Sequence, residues 1–311
     1  MKKGCNVKDL TREEWLIERR KGIGGSDAAA IAGLNPWKSA AAVFFEKTSE
    51  SPPETGEMSE RLRIGHDLED YVARRFAEET GKKVRRNNFM LHHDDYPFII
   101  GDIDREIVGE NAILECKTTN SYSAKDWAEE PPLHYQIQCQ HYLLVTGADR
   151  CYIAALIGNE RFVWYTIERD EETMADLLAV EVDFWKNYVE AGVCPAPDGS
   201  AAYDEFIAKH YPTDDGMDIE LSRDGVTALE KYLELKQTAD ELDKTLKLYQ
   251  QIVKVEMGDA SKAVADGYKV SWKTQSRTTL DSKRLKAEKP DIYEAYAKTS
   301  ESRVFRVSQV S

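Results

Sequence analysis

Residues 97–119 read PFIIGDIDREIVGENAILECKTT, and a strand, a turn and a second strand can be traced through them. Pro97, Phe98, Ile99 and Ile100 open an apolar strand that runs toward Asp104, Gly109-Glu110-Asn111 is a turn signal, and Ala112 to Lys117 is a second strand. Side chains alternate faces along a strand, so Glu115 and Lys117 share one face and Leu114 and Cys116 the other. The hairpin then brings Asp104 beside Glu115. These two are hard oxygen donors of the kind Mg²⁺ prefers, and the Cys116 backbone carbonyl offers a third oxygen. Lys117 is a compact cation that can orient a water or neutralise charge on a phosphate. Residues of these types in this order point to metal-dependent phosphodiester cleavage. In isolation a Glu-x-Lys pair reads more readily as a surface ion pair, so the neighbouring segments decide.

Three of them bear on the question. Residues 19–31, RRKGIGGSDAAAI, place glycines before an Ala-rich helix with Ser26 or Asp27 as its N-cap. Exposed N–H groups at such a helix start favour an anion, and Arg19 can complete the pocket. The loop matches no nucleotide-binding fingerprint. A helix from about Ser59 to Glu79, closed by Gly81, carries an apolar stripe of Leu62, Gly65, Leu68, Val72 and Phe76. Glu69 borders that stripe, where a carboxylate needs a partner, either a metal or a nearby arginine. Residues 134–143, HYQIQCQHYL, form a further helix with Tyr135, Gln138 and Tyr142 on one side. Gln138 can hydrogen-bond a water or a phosphate oxygen. Gln136 and Gln140 point elsewhere, as solvated or structural groups, and His134 and His141 lack the partners of a metal site.

Bulk composition narrows the class. The 311 residues carry 42 Lys and Arg against 56 Asp and Glu, a net −14, so contact with a polyanion must be local. The five cysteines are scattered without a C-x-x-C pair, which argues for a reducing cytosol and against a zinc cluster, a disulfide framework and a four-cysteine iron–sulfur site. No apolar run approaches membrane-spanning length and the N-terminus lacks a signal-peptide core, so a soluble cytoplasmic protein without a membrane partner is expected.

The entry from Trp15 to Trp37, the Gly65-His66-Asp67-Leu68-Glu69 run, the segment from Asp104 to Thr118, and the run from Tyr135 to Gly147 occur in the order of the YqaJ-like viral recombinase family, which the chain resembles. These are relatives of the phage lambda exonuclease. The resemblance is strong over residues 12–200 and looser beyond. It implies an α/β restriction-endonuclease-like core, a central mixed sheet flanked by helices. It also implies resection of linear duplex DNA ends from 5′ to 3′ with Mg²⁺ or Mn²⁺, two ions per site, leaving a 3′ single strand. The implied partners are duplex DNA ends, a single-strand annealing protein of the RecT or lambda beta type, and further copies of the chain in a homo-oligomer, a trimer by analogy.

Carried over residue by residue, Asp104, Glu115 and Lys117 match the catalytic core, Glu69 the helical carboxylate that helps hold metal, and Gln138 the active-site glutamine. Arg19 and Ser26 match the residues that hold the terminal 5′ phosphate. Asp102 and Asp104, read as sharing a strand face, compete for the metal. Asp104 is preferred because Arg105 follows it and its separation from Glu115 suits a short hairpin; Asp102 is the second candidate. An endonuclease on the same core, or a catalytically weak module that binds DNA ends, is the alternative.

The linker CPAPDGS, residues 194–200, divides a nuclease domain, residues 1–200, from a C-terminal helical region and basic appendage, residues 201–311. From about Leu221 to Met257 one long helix or a helical hairpin is expected. Leu235, Ala239, Leu242, Leu246, Tyr249 and Val253 alternate steps of four and three along it, a coiled-coil-like seam. In residues 261–311 Lys and Arg outnumber Asp and Glu, the reverse of the whole chain, with aromatic residues interleaved. That suits either a DNA-contacting appendage or a solvated basic face.

Overall fold

The computed structural model describes residues 2–50, 59–299 and 301–308. Two compact units divide the chain, Met1–Tyr211 and Pro212–Ser311. The first begins with strand β1 (Lys2–Asn6) and helices α1 (Arg12–Arg20), α2 (Gly25–Ile31), α3 (Ala40–Thr48) and α4 (Glu60–Thr80). Five strands follow: β2 (Val84–Arg86), β3 (Phe89–His92), β4 (Ile100–Gly101), β5 (Arg105–Ile107) and β6 (Ala112–Thr119). Then come α5 (Leu133–Thr146), β7 (Arg150–Ile157), β8 (Arg161–Glu168), α6 (Glu171–Phe184) and α7 (Ala201–His210).

The expected central mixed sheet with flanking helices is present. Its order is β2-β5-β6-β7-β8, with β6 and β7 parallel and the other neighbours antiparallel. A parallel pair needs a crossover, and α5 supplies it. Both faces of the β6–β7 pair are covered. Val72, Ala73 and Phe76 of α4 pack with Ala112, Leu114, Tyr152 and Ala154 on one face. Cys139 and Leu143 of α5 pack with Ile113, Ile153 and Ala155 on the other. Double coverage explains why β7 is an almost unbroken apolar run.

Several local expectations change. The chain opens on a strand that the sequence did not suggest: β1 pairs antiparallel with β3 at the edge of a three-stranded sheet with β4. Its sequence, Lys-Lys-Gly-Cys-Asn, has no apolar alternation to betray it. The buried stripe of α4 is shorter than its spacing suggested: Val72, Ala73 and Phe76 are buried, but Leu62 is 60% exposed and borders a cavity. Between β4 and β5 the chain passes from one sheet to the other without strand structure. The period-two argument that put Asp102 and Asp104 on one strand face therefore does not apply.

His141 ties three elements together and has no exposure. Its Nδ1 lies 2.7 Å from Glu181 Oε1 on α6 and its Nε2 lies 2.8 Å from the Ile100 carbonyl of β4. Against an ionised Glu181 both partners are acceptors, and the imidazolium, a donor at both nitrogens, satisfies both. Burial works against that charge, but Glu181 and the Ile100 carbonyl outweigh it and raise the pKa above the ordinary histidine value. Gln140 beside it is also structural, donating to the Glu168 carbonyl and accepting from the Asp170 N–H.

The second unit holds α8 (Arg223–Met257), the hairpin β9 (Lys262–Ala265) and β10 (Tyr268–Ser271), α9 (Ser282–Glu288) and α10 (Pro290–Tyr296). Ser222 caps α8, which is a single helix. The hairpin turns on Asp266 and Gly267, with φ of 36° and 86°, the left-handed pair that a two-residue turn requires. Among the described residues no helix is long and apolar enough to cross a membrane.

A raised imidazole pKa contributes stability that is complete below the unfolded value and is lost as pH rises through the folded value. The urea midpoint is therefore expected to fall as pH rises above about 6.5, the ordinary histidine pKa. His141→Gln should cost about 3 kcal/mol at pH 6, by leaving Glu181 buried without its cation, and should flatten that pH dependence.

Candidate functional site

The register of β5 on β6 pairs Arg105 with Leu114, so the next step along the hairpin brings Asp104 level with Glu115. The Cys116 N–H donates to Asp104 Oδ2 at 2.7 Å and fixes that carboxylate against the edge of β6. Burial, then the charges of Glu115 and Glu69, push the Asp104 carboxyl well above the usual carboxylate range. Glu115 is 4% exposed. Its Oε1 accepts from Lys117 Nζ at 2.6 Å and from Gln138 Nε2 at 2.7 Å, while its Oε2 is buried without a hydrogen-bond partner. Burial raises its pKa too, against the pull of Lys117. Burial opposes charge on Lys117, yet Glu115, Tyr135 and Asp104 outweigh it and hold the amine protonated, 4.8 Å above the Tyr135 ring.

Helix α5 delivers Gln138 to this floor, and Tyr142, one turn on, accepts from the same amide at 3.1 Å. Tyr142 leaves little room opposite: a Cβ on Gly25 would lie 2.7 Å from its ring and 3.0 Å from Gln138 Cγ. Gly25 thus lets α2 approach α5 closely enough to place Ser26 near the carboxylates.

The start of α2 differs from the expected cap. Gly24 is the N-cap, and Asp27, inside the first turn, accepts the Gly24 N–H at 3.2 Å. Because Asp27 does the capping from within, the Ser26 hydroxyl is left to accept from Arg19. Beneath them Asp27 meets Lys47 Nζ at 2.7 Å, Lys38 Nζ at 2.8 Å and Arg19 at 3.8 Å, and Lys38 also meets Glu46 at 2.5 Å. Burial would raise the Asp27 pKa, but Lys38, Lys47 and Arg19 hold it well below the usual carboxylate range. Three cations face two carboxylates, which leaves the cluster positive where Arg19 faces the cavity.

That cavity, about 730 Å³, is lined by Arg19, Ser26, Glu69, Asp102, Asp104 and Gln138 among others. Glu115 and Lys117 lie behind this lining. Of the two partners open to Glu69, the structure supplies the arginine: Arg105 donates to it at 2.6 Å and also holds Asp70. Asp102 accepts the Trp15 indole N–H at 2.8 Å, and the Arg19 guanidinium lies 5.3 Å from the same indole ring. Trp15 was missed as a site residue; its four-residue spacing from Arg19 along α1 was the available signal. The lysines beneath Asp27 carried no local signal, because α3 brings Lys47 from a separate segment.

The residues present suit a hard divalent cation. Glu115 Oε2 lacks a partner, and the neighbouring carboxylates repel one another out of water, an arrangement that positive charge relieves. Asp104 and Glu115 would supply the side-chain oxygens and Cys116 a carbonyl. Among the described residues no group of three or more His, Cys, Asp or Glu side chains is gathered as a preformed metal cluster.

A family model for the YqaJ-like viral recombinase domain matches residues 14–149. The uncharacterized protein YqaJ of Bacillus subtilis strain 168 is 42% identical over 307 residues, 97% of this chain and 96% of that protein. An alkaline exonuclease from Laribacter hongkongensis shares the fold with a TM-score of 0.50 at 19% identity, covering 64% of this chain and 98% of the exonuclease. A phage-related exonuclease from Haemophilus somnus 129PT aligns with a TM-score of 0.42 at 15% identity, over 55% of this chain and 94% of that one.

The approach of α2 to α5 gives a direct prediction. Gly25→Ala should destabilise the protein by about 1–3 kcal/mol, the usual cost of overpacking, measured by urea denaturation. A change below about 0.5 kcal/mol, typical of unconstrained positions, would mean that the contact yields freely.

Proposed function

The chain belongs to the YqaJ-like viral recombinase family, and we propose that it is a metal-dependent DNA exonuclease that resects linear duplex ends from 5′ to 3′. The observation that carries this reading is the pairing of cavity-lining Asp104 with buried Glu115, with an unpartnered carboxylate oxygen and a protonated Lys117 beside it. The positive Arg19–Ser26 corner, lining the same cavity as Asp104, supports action at an end rather than within a strand.

Asp104, Glu115 and the Cys116 carbonyl would hold Mg²⁺ or Mn²⁺, with Glu69 adding negative charge nearby. When bound, the metal supplies Lewis-acid activation of water and neutralisation of the phosphate, with two ions serving both sides of the displacement. Lys117 cannot act as a base while it is protonated; it stabilises charge developing on the phosphoryl oxygens. Gln138 fixes one oxygen of Glu115, leaving the other for a cation, and can orient a water or phosphate oxygen. Arg19 and Ser26 hold the terminal 5′ phosphate and so set which bond lies over the carboxylates. Arg105 keeps Glu69 and Asp70 in place from the far side of β5. Asp102, engaged by Trp15, positions the α1 wall; Asp104 is the principal ligand. The exposed 3′ strand would pass to an annealing protein of the RecT or lambda beta type, with several copies of the chain assembled at the DNA end.

Purified protein with Mg²⁺ is expected to digest linear duplexes faster when they carry a 5′ phosphate, to spare closed circles, and to stop on addition of EDTA. Linear duplex that is bound but left intact would sink the enzyme reading, and linearised circles would favour an endonuclease. Lys117→Ala should lower the cleavage rate by about 10²–10³-fold while duplex binding survives. Asp104→Asn should abolish cleavage and Asp102→Asn should only weaken it; the reverse order would move the metal to Asp102.

A further inference from the structure

Helix α8 presents an apolar seam. Leu235, Leu242 and Leu246 are 56, 61 and 69% exposed, and Ala239 between them is exposed as well. Among the described residues of the unit, company is seen at the flanks: Tyr232 meets the Phe305 ring at 5.5 Å, and a groove of about 500 Å³ lies between Tyr249, Val253 and Trp272. In heptad terms Tyr232, Ala239, Leu246 and Val253 occupy a positions, and Leu235, Leu242 and Tyr249 occupy d positions. Lys236 and Asp243 then fall at successive e positions and Lys231 at g.

We infer that α8 pairs with α8 of a second copy of this chain, antiparallel, about a two-fold axis between residues 240 and 241. The charges select this arrangement. Antiparallel coils set e against e, and in this register Lys236 faces the partner's Asp243 on both sides of the axis. Slipping one heptad in one direction sets Lys236 against the partner's Lys236; slipping the other way sets Asp243 against the partner's Asp243. A parallel pair sets g against e and brings Lys231 onto the partner's Lys236. Of these arrangements only the proposed register sets opposite charges against each other at these positions. Asp243 already meets Lys247 of its own helix at 2.6 Å, and its side chain, 60% exposed, can take a second cation.

The apolar layers agree with the charges. Leu235 meets the partner's Leu246, Tyr232 meets the partner's Tyr249, and Ala239 meets the partner's Leu242, a small residue opposite a large one. A two-fold interface requires a self-complementary surface, and this helix carries one along its own sequence. The pairing does not depend on the proposed activity.

Sedimentation equilibrium of the full chain tests it. The wild type is expected as an even number of copies, which is six where the trimer that the resemblance implies is also formed and α8 pairs two such trimers. Lys236→Glu and Asp243→Lys should each halve the assembly mass by setting like charges across the axis, and the double variant should restore it. These exposed sites accept good helix formers, so the helix itself is retained. A wild type of one or three copies would overturn the inference. So would a Lys236→Glu variant that keeps or enlarges the assembly, since a parallel pair would gain from that change at Lys231.

Discussion

Setting Asp104, at the wall of the cavity, beside the buried Glu115 brings two carboxylates together with little water around them, and much of the first unit is arranged to make that tolerable. Their mutual repulsion and lost hydration are each worth several kcal/mol in a protein interior. Local donors answer part of that cost: the Cys116 N–H at Asp104, and Lys117 and Gln138 at Glu115. Yet Glu115 Oε2 receives nothing. A structure that places three donors on two of these oxygens and leaves Glu115 Oε2 unmatched is suited to take up a cation rather than to fold around a closed ion pair.

The compensation comes from both faces of one sheet. Because β6 alternates, Leu114 and Cys116 anchor the face that α4 covers, while Glu115 and Lys117 look toward α5. Arg105 on the α4 side gathers Glu69 and Asp70 into an ion cluster of its own, so the field of Glu69 reaches Asp104 while its oxygen stays occupied. On the α5 side, Gln138 and Tyr142 meet the close approach of Gly25. One edge therefore joins the carboxylates to the positive corner at Arg19 and Ser26.

That corner rests on a second buried cluster. Asp27 caps α2 from within and binds Lys38, Lys47 and Arg19 at once. Its charge is stabilised by cations from three segments, and the surplus of positive charge is presented at Arg19. The stretch from Gly22 to Asp27 was readable as an anion-binding motif only in outline, since a helix start of this kind is common; the lysines that make it electropositive arrive through tertiary packing, Lys47 from α3 and Lys38 from the loop before it.

Strand β6, α4, α5 and the helical character of α8 were legible because each rests on a local period: alternation in strands, steps of three and four in helices, with Gly81 and Gly147 ending helices in the left-handed conformation. The strand expected from Pro97 to Asp104 was not, because β4 joins a different sheet and β5, which starts at Arg105, is the strand that pairs with β6. Strand β1 was not legible, since an edge strand needs no apolar face. The fate of Asp102 and Asp104 was not legible either, because the chain changes sheets between them and side-chain direction there is set by Trp15 and by Cys116, from separate elements. By itself the sequence determined which residue types line up along each element, and with them the family and the class of chemistry, because those follow from short-range spacing. Only the tertiary structure decided that Glu69 answers to Arg105, that Asp27 serves as a buried hub, and that Glu115 Oε2 is left without a partner. Those outcomes depend on desolvation and on charges contributed by distant segments, which no local spacing records.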